Sequence, residues 1–188
     1  DVDPSFGDVL FGSDPPEGSE ALPLDRWRED GRLEVVKTGL HRTVYRLNPA
    51  DSDQPSDSNR VLYIKRYRAA DWKARCRRLL RGSTSRCEYD WMQAARALGV
   101  PTADVAAVGG PLWPGHDRDS WLVSVGVQDA RVLEELLADT ESVLSRSERR
   151  GVVIQVAEMI ARLHDGGLWH RDLHAGNFLV QRSPGAGL

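Results

Sequence analysis

The feature that most restricts the fold of this chain is a change of hydrophobic period along it. Between Leu33 and Val127 the β-favouring residues come in short runs: LEVVKT (33 to 38), TVYRL (43 to 47), VLYIKRY (61 to 67), DVAAVG (104 to 109) and SWLVSVGV (120 to 127). Gly39 between the first two runs predicts a hairpin. A single helix interrupts the series near residues 84 to 98, stopped by Gly99 with Pro101 just beyond. From Val132 onward the period becomes helical. Between residues 148 and 164, Val152, Val153, Val156, Met159, Ile160 and Leu163 form one predicted stripe. Strands with one helix followed by helices predict an α+β chain with two lobes.

The same pass divides the chain. Residues 1 to 24 hold six acidic residues, four prolines and no lysine or arginine, the composition of a mobile acidic arm. Residues 25 to 128 read as the strand-rich lobe and residues 129 to 188 as the helical one. The segment NPADSDQPSDSN (48 to 59) is rich in turn formers and reads as a loose surface loop. A formal charge of −3 over 188 residues gives no general attraction to nucleic acid, and neither a stacking platform nor a reading helix is visible. Two cysteines, Cys76 and Cys87, are too few and too far apart for a disulfide framework or a CxxC motif and fit a reducing, cytosolic setting. No apolar run approaches the roughly 18 residues that a spanning helix needs.

Chemistry is concentrated at four positions. His170, Arg171, Asp172, Leu173 and Asn177 match H-R-D-L-x-x-x-N, the catalytic-loop pattern of protein kinases. Phosphoryl transfer explains these residue types: a carboxylate orients the acceptor hydroxyl and receives its proton, and a nearby amide oxygen holds Mg²⁺ against the phosphates. Asp172 fits the first role and Asn177 the second, with His170 as a structural hydrogen bonder. Lys65 ends the run VLYIK, the form of the third-strand kinase lysine. Alternation puts Val61, Tyr63, Lys65 and Tyr67 on one strand face. On the following helix Glu88 shares a stripe with Trp91, Met92, Ala95 and Leu98, and a carboxylate turned inward needs a partner. Lys65 is the expected one. Such a pair would hold the lysine against the α and β phosphates. KTGLHRTVYRL (37 to 47) is a candidate phosphate cover with Gly39 at its tip, although the full G-x-G-x-x-G of protein kinases is absent.

In VVKTGLHRTVYRL, VLYIKRY, CEYDWMQAARALGVPTADVAAVG and LHDGGLWHRDLHAGNFLV, over about residues 33 to 181, the chain resembles the bacterial lipopolysaccharide kinases that phosphorylate Kdo or heptose sugars. The resemblance implies a protein-kinase-like fold with an antiparallel N-lobe sheet, one N-lobe helix and a partial helical C-lobe. It implies ATP with Mg²⁺ as donor and a sugar hydroxyl on a lipid-linked saccharide as acceptor. Position by position, Lys65 contacts phosphate, Glu88 pairs with it, Asp172 is the base and Asn177 binds metal. Lys37, Gly39, Lys65, Val125 and Val127 are the nucleotide-contact set. A cytoplasmic location, peripheral on the inner membrane, goes with that acceptor.

Tyr63, two residues before the lysine, is larger than the small residue that protein kinases place against adenine. Only 11 residues follow Asn177, with no D-F-G or D-F-D among them, so little or no turnover is expected of these 188 residues alone. Nine lysines or arginines between Lys65 and Arg86, against only Asp71, form a basic stretch suited to anionic headgroups or a phosphorylated saccharide. Two other readings stand beside the sugar kinase: a Ser/Thr protein kinase, and a non-catalytic nucleotide-binding pseudokinase.

Overall fold

The protein was analysed as a computed structural model that describes residues 2, 3, 6, 10, 22–49, 60–68, 82–110, 119–138, 144–170 and 172–181. They form two compact units: residues 1–92 with 103–126, and residues 93–102 with 127–188. Residues 93–102, which continue the helix expected near residues 84 to 98, group with the second unit rather than the first.

In the first unit, α1 (Leu24–Glu29) precedes β1 (Leu33–Thr38), β2 (Arg42–Leu47) and β3 (Leu62–Tyr67). Helix α2 (Thr84–Ala97), β4 (Val105–Gly109) and β5 (Ser120–Val125) follow. The five strands make one antiparallel sheet in the order β1-β2-β3-β5-β4. Its two faces follow from period-two alternation. Leu62 and Ile64 of β3, Tyr45 and Leu47 of β2 and Val123 and Val125 of β5 gather on one face with Trp27 of α1. Tyr67, Leu122 and Val108 lie on the other, packed with Tyr89 and Met92 of α2. The N-terminus of α2 is tied to the end of β4, where the Ser85 hydroxyl donates to the Gly109 carbonyl at 3.1 Å.

The arm expected over residues 1 to 24 falls mostly outside the described residues, as do most of the 48–59 loop and the basic run 69–81. Its described members sit on the sheet. Asp3 donates its N–H to the Ala106 carbonyl at 2.9 Å, Val2 bridges Ala107, and Phe6 and Leu10 are buried in the first core cluster. Two large apolar side chains in an acidic segment join the same core cluster as Trp27 of α1, which average composition does not reveal.

In the second unit β6 (Ala130–Val132) leads into α3 (Leu133–Ala138) and α4 (Arg146–Asp165), then a 3₁₀ turn (Ala175–Asn177) and β7 (Leu179–Gln181). Helix α4 starts in a capping box: Glu148 donates its N–H to the Ser145 hydroxyl, and its carboxylate accepts from the Ser145 N–H at 2.6 Å. It ends at Gly166, where a Cβ would meet Leu98 Cδ1 at 2.2 Å. The stripe predicted along this helix is narrower than expected. Val152 and Leu163 are buried, whereas Val153 is 63% exposed, because it lies about 100° round the axis from Val152. β6 and β7 pair antiparallel, Ala130 opposite Gln181 and Val132 opposite Leu179. Gln181, expected to open a turn-like tail, therefore closes a ribbon, and the tail itself (182–188) lies outside the described residues. Among the described residues no helix is long and apolar enough to cross a membrane.

Candidate functional site

The lysine predicted on the third strand is there. Register pairs Lys65 with Val44 of β2 and Leu122 of β5, so both backbone neighbours are fixed. Its ammonium lies 2.5 Å from Glu88 Oε1, with the two side chains 29% and 28% exposed. The partial burial decides the value of this pair, because a shielded ion pair is screened less than a surface one. Glu88 reaches the lysine because α2 crosses the face that carries Lys65 and Tyr67, as the helical stripe predicted. The Tyr67 hydroxyl donates to the other carboxylate oxygen, Glu88 Oε2. That third member was not foreseen; the signal for it was Tyr67's place on the lysine's strand face.

Arg66 points to the opposite face and is engaged elsewhere. It binds Asp119 and lies over the Trp121 ring at 5.2 Å. Burial works against its charge, but the hydrogen bonds to Asp119 and Tyr45 outweigh it and leave the guanidinium above its ordinary value. Tyr63, too large for the seat that protein kinases keep small, lies against a glycine. A Cβ on Gly126 would stand 3.2 Å from the Tyr63 ring and 3.0 Å from the Val61 carbonyl. The Gly126 N–H donates to that carbonyl at 2.7 Å, so strand β5 and the residue before β3 are drawn close together. Val125 is buried in the sheet core and Val127 is 38% exposed. Lys37 is exposed on β1, opposite Val44, and Gly39 closes the hairpin by donating its N–H to the Arg42 carbonyl at 2.8 Å.

The catalytic-loop residues form a second group, organised by short-range hydrogen bonds. The Asn177 side-chain N–H donates to the Asp172 carbonyl at 2.5 Å, which leaves its amide oxygen available. The Asp172 N–H donates to His170 Nδ1 at 3.3 Å, the structural role expected of that histidine. Gly176 donates its N–H to His174 Nδ1 at 3.1 Å. With Nδ1 as acceptor, a neutral His174 carries its proton on Nε2, and Nε2 stands 3.8 Å from Asp172 Oδ2. Gly176 is crowded: a Cβ there would meet Glu134 Oε2 at 2.7 Å and His174 Nδ1 at 2.9 Å. His174 and Glu134 are the neighbours that motif matching missed, and Glu134 carries no local signal because it arrives from α3. The Phe178 carbonyl accepts the Leu133 N–H at 2.9 Å, which anchors the end of this loop to the start of α3. The side chain of Asp172 is 86% exposed, open to an incoming hydroxyl.

No group of three or more His, Cys, Asp or Glu able to hold a metal occurs among the described residues. The one candidate metal donor described on this loop, the Asn177 amide oxygen, is of the hard, oxygen type that suits Mg²⁺.

A family model described as "Lipopolysaccharide kinase (Kdo/WaaP) family" matches residues 31–187. Among solved structures, "WaaP in complex with acyl carrier protein" matches with a TM-score of 0.62 at 20% identity, covering 99% of this chain and 65% of that one. The chain thus spans about two thirds of the WaaP chain. A MAP kinase from Leishmania major, LmaMPK10, matches with a TM-score of 0.48 at 15% identity, over 84% of this chain and 45% of its own. No curated protein matches the sequence. The likeness to WaaP shows the fold to be protein-kinase-like, an antiparallel sheet in the first unit with the expected helix α2 and a short one, α1, that the sequence reading did not foresee, and helices in the second.

Proposed function

From the premise that the chain belongs to the lipopolysaccharide kinase (Kdo/WaaP) family, we propose that it serves an ATP-dependent phosphotransfer to a sugar hydroxyl of the lipopolysaccharide core. The observation that carries this reading is the Lys65–Glu88 ion pair at 2.5 Å, half-shielded between strand and helix. A lysine so held presents a fixed positive charge to the α and β phosphates, with Lys37, Gly39, Val125 and Val127 as the other nucleotide contacts. Asp172 would accept the proton of the acceptor hydroxyl as that oxygen bonds to the γ-phosphorus and the bond from that phosphorus to the β–γ bridging oxygen breaks, ADP leaving with the electron pair. His174 stands at its carboxylate, and Asn177 would hold Mg²⁺ through the amide oxygen that its own hydrogen bonds leave free. The metal neutralises phosphate charge when bound.

The acceptor class, Kdo or heptose, comes from the family and not from any residue described above. A cytoplasmic location, peripheral on the inner membrane, follows from such an acceptor. Of the nine basic residues between Lys65 and Arg86, Lys65, Arg66, Arg68 and Arg86 are already engaged, by Glu88, Asp119, Thr43 and Asp90 respectively. Contact with anionic lipid would therefore fall to residues 73 to 81, which lie outside the described set.

The test is transfer of labelled phosphate from ATP, with Mg²⁺, to Kdo- and heptose-bearing core saccharide, beside nucleotide binding by the same protein. Lys65→Ala should abolish nucleotide binding, and Asp172→Ala should abolish transfer while sparing binding. Nucleotide binding unaffected by Lys65→Ala would overturn the reading.

A further inference from the structure

A carboxylate has two oxygens, and an ion pair fixes its direction only if both are accounted for. Glu88 offers Oε1 to Lys65 and Oε2 to Tyr67. The two donors are residues i and i+2 of one strand, so they project from the same face and approach the carboxylate from neighbouring points. Their mobility differs. Lysine has a flexible four-carbon stem, whereas the Tyr67 ring is only 8% exposed and packs with Val108 and Leu122 against Tyr89 and Met92. Tyr67 is further held by register, opposite Arg42 of β2 and Ser120 of β5. The one stiff group among the three is therefore the tyrosine.

We propose that Tyr67 is a positioning residue: its hydroxyl, fixed by the packed ring, sets the rotation of the Glu88 carboxylate and thereby the place of the Lys65 ammonium. The contact itself stands without any functional assignment; its consequence for nucleotide rests on reading Lys65 as the phosphate-contacting lysine. The alternative role for the hydroxyl is to compete with Lys65 for Glu88, and the two roles predict opposite signs. If Tyr67 positions the carboxylate, Tyr67→Phe loosens the ion pair and leaves the lysine freer. If it competes, the same substitution tightens the pair.

The experiment is amine-selective acylation of the 188-residue chain without nucleotide, with the rate at Lys65 followed by mass spectrometry. Tyr67→Phe, which keeps the packed ring, should raise that rate about fivefold to tenfold, the scale of one ordinary net hydrogen bond. Glu88→Gln should raise it at least as far, and combining the two substitutions should add nothing further. An unchanged or lowered rate in a folded Tyr67→Phe protein overturns the proposal. Should Tyr67→Phe fail to fold, Glu88→Gln carries the test through near-ultraviolet tyrosine absorbance: a shift relative to wild type supports the contact and identical spectra overturn it. In a phosphotransfer assay Tyr67→Phe should raise the KM for ATP more than it lowers kcat. If Lys65→Ala leaves nucleotide binding intact, the functional reading fails while the acylation rates still decide the role of Tyr67.

Discussion

The two groups of candidate site residues are built on different physical plans. Lys65, Glu88 and Tyr67 stand on a strand and a helix, half-shielded, with positions set by sheet register and by a packed apolar face. Asp172, His174 and Asn177 stand on a loop, exposed, and are held mainly by hydrogen bonds between residues two to five apart. The first plan ties a site to the stability of the fold around it. The second lets a site be altered with little effect on the fold. Substitutions should therefore separate into those that cost activity and stability together and those that cost activity alone.

The sharpest case is Asp172→Ala. Turnover should fall by about 10² to 10⁴, the range for a positioned base, while the melting temperature stays put. A large loss of stability would break the comparison. Gly176→Ala is the next test of the loop. The new Cβ would press on Glu134 and His174, and turnover should drop about tenfold to a hundredfold through misplacement of the loop, read as kcat at saturating ATP. On the other side, Glu88→Ala strips the partner from a half-buried ammonium and from the Tyr67 hydroxyl. It should cost about 1–3 kcal/mol of unfolding free energy in urea titration, together with nucleotide affinity. The smallest effect is expected of Ser145→Ala, which removes the cap of α4 and no member of either group. About 1 kcal/mol of stability should go, with KM for ATP unchanged.

This division also accounts for how much of the molecule was legible beforehand. Strands β1 to β5 and helix α2 were readable because regular elements repeat their chemistry at fixed periods, and Lys65 and Glu88 followed from the same periods. The face shared by Lys65 and Tyr67 was equally visible, but that the two meet at one carboxylate depends on how α2 crosses the sheet. The catalytic loop was legible as a motif and not as a geometry. That Nδ1 of His174 accepts from Gly176 is a local turn contact the motif does not specify, and that Glu134 closes on the glycine is a consequence of a helix that begins some forty residues earlier. Composition misled at the N-terminus, where Phe6 and Leu10 are buried in spite of their acidic surroundings. The ribbon of β6 and β7 was missed because three-residue strands are too short to show a period.

That ribbon bears on the order in which the molecule can come together. Residues 130 to 132 and 179 to 181 pair across almost fifty positions, and the loop carrying Asp172 lies inside the closed segment. Closure of a segment this long must be met by entropy before its hydrogen bonds are collected. The Lys65–Glu88 pair spans only 23 positions and needs just the third strand and α2. A nascent chain can thus hold Lys65 against Glu88 while the loop of Asp172 is still open, and that loop is closed only when residues 179 to 181 return to their partner strand.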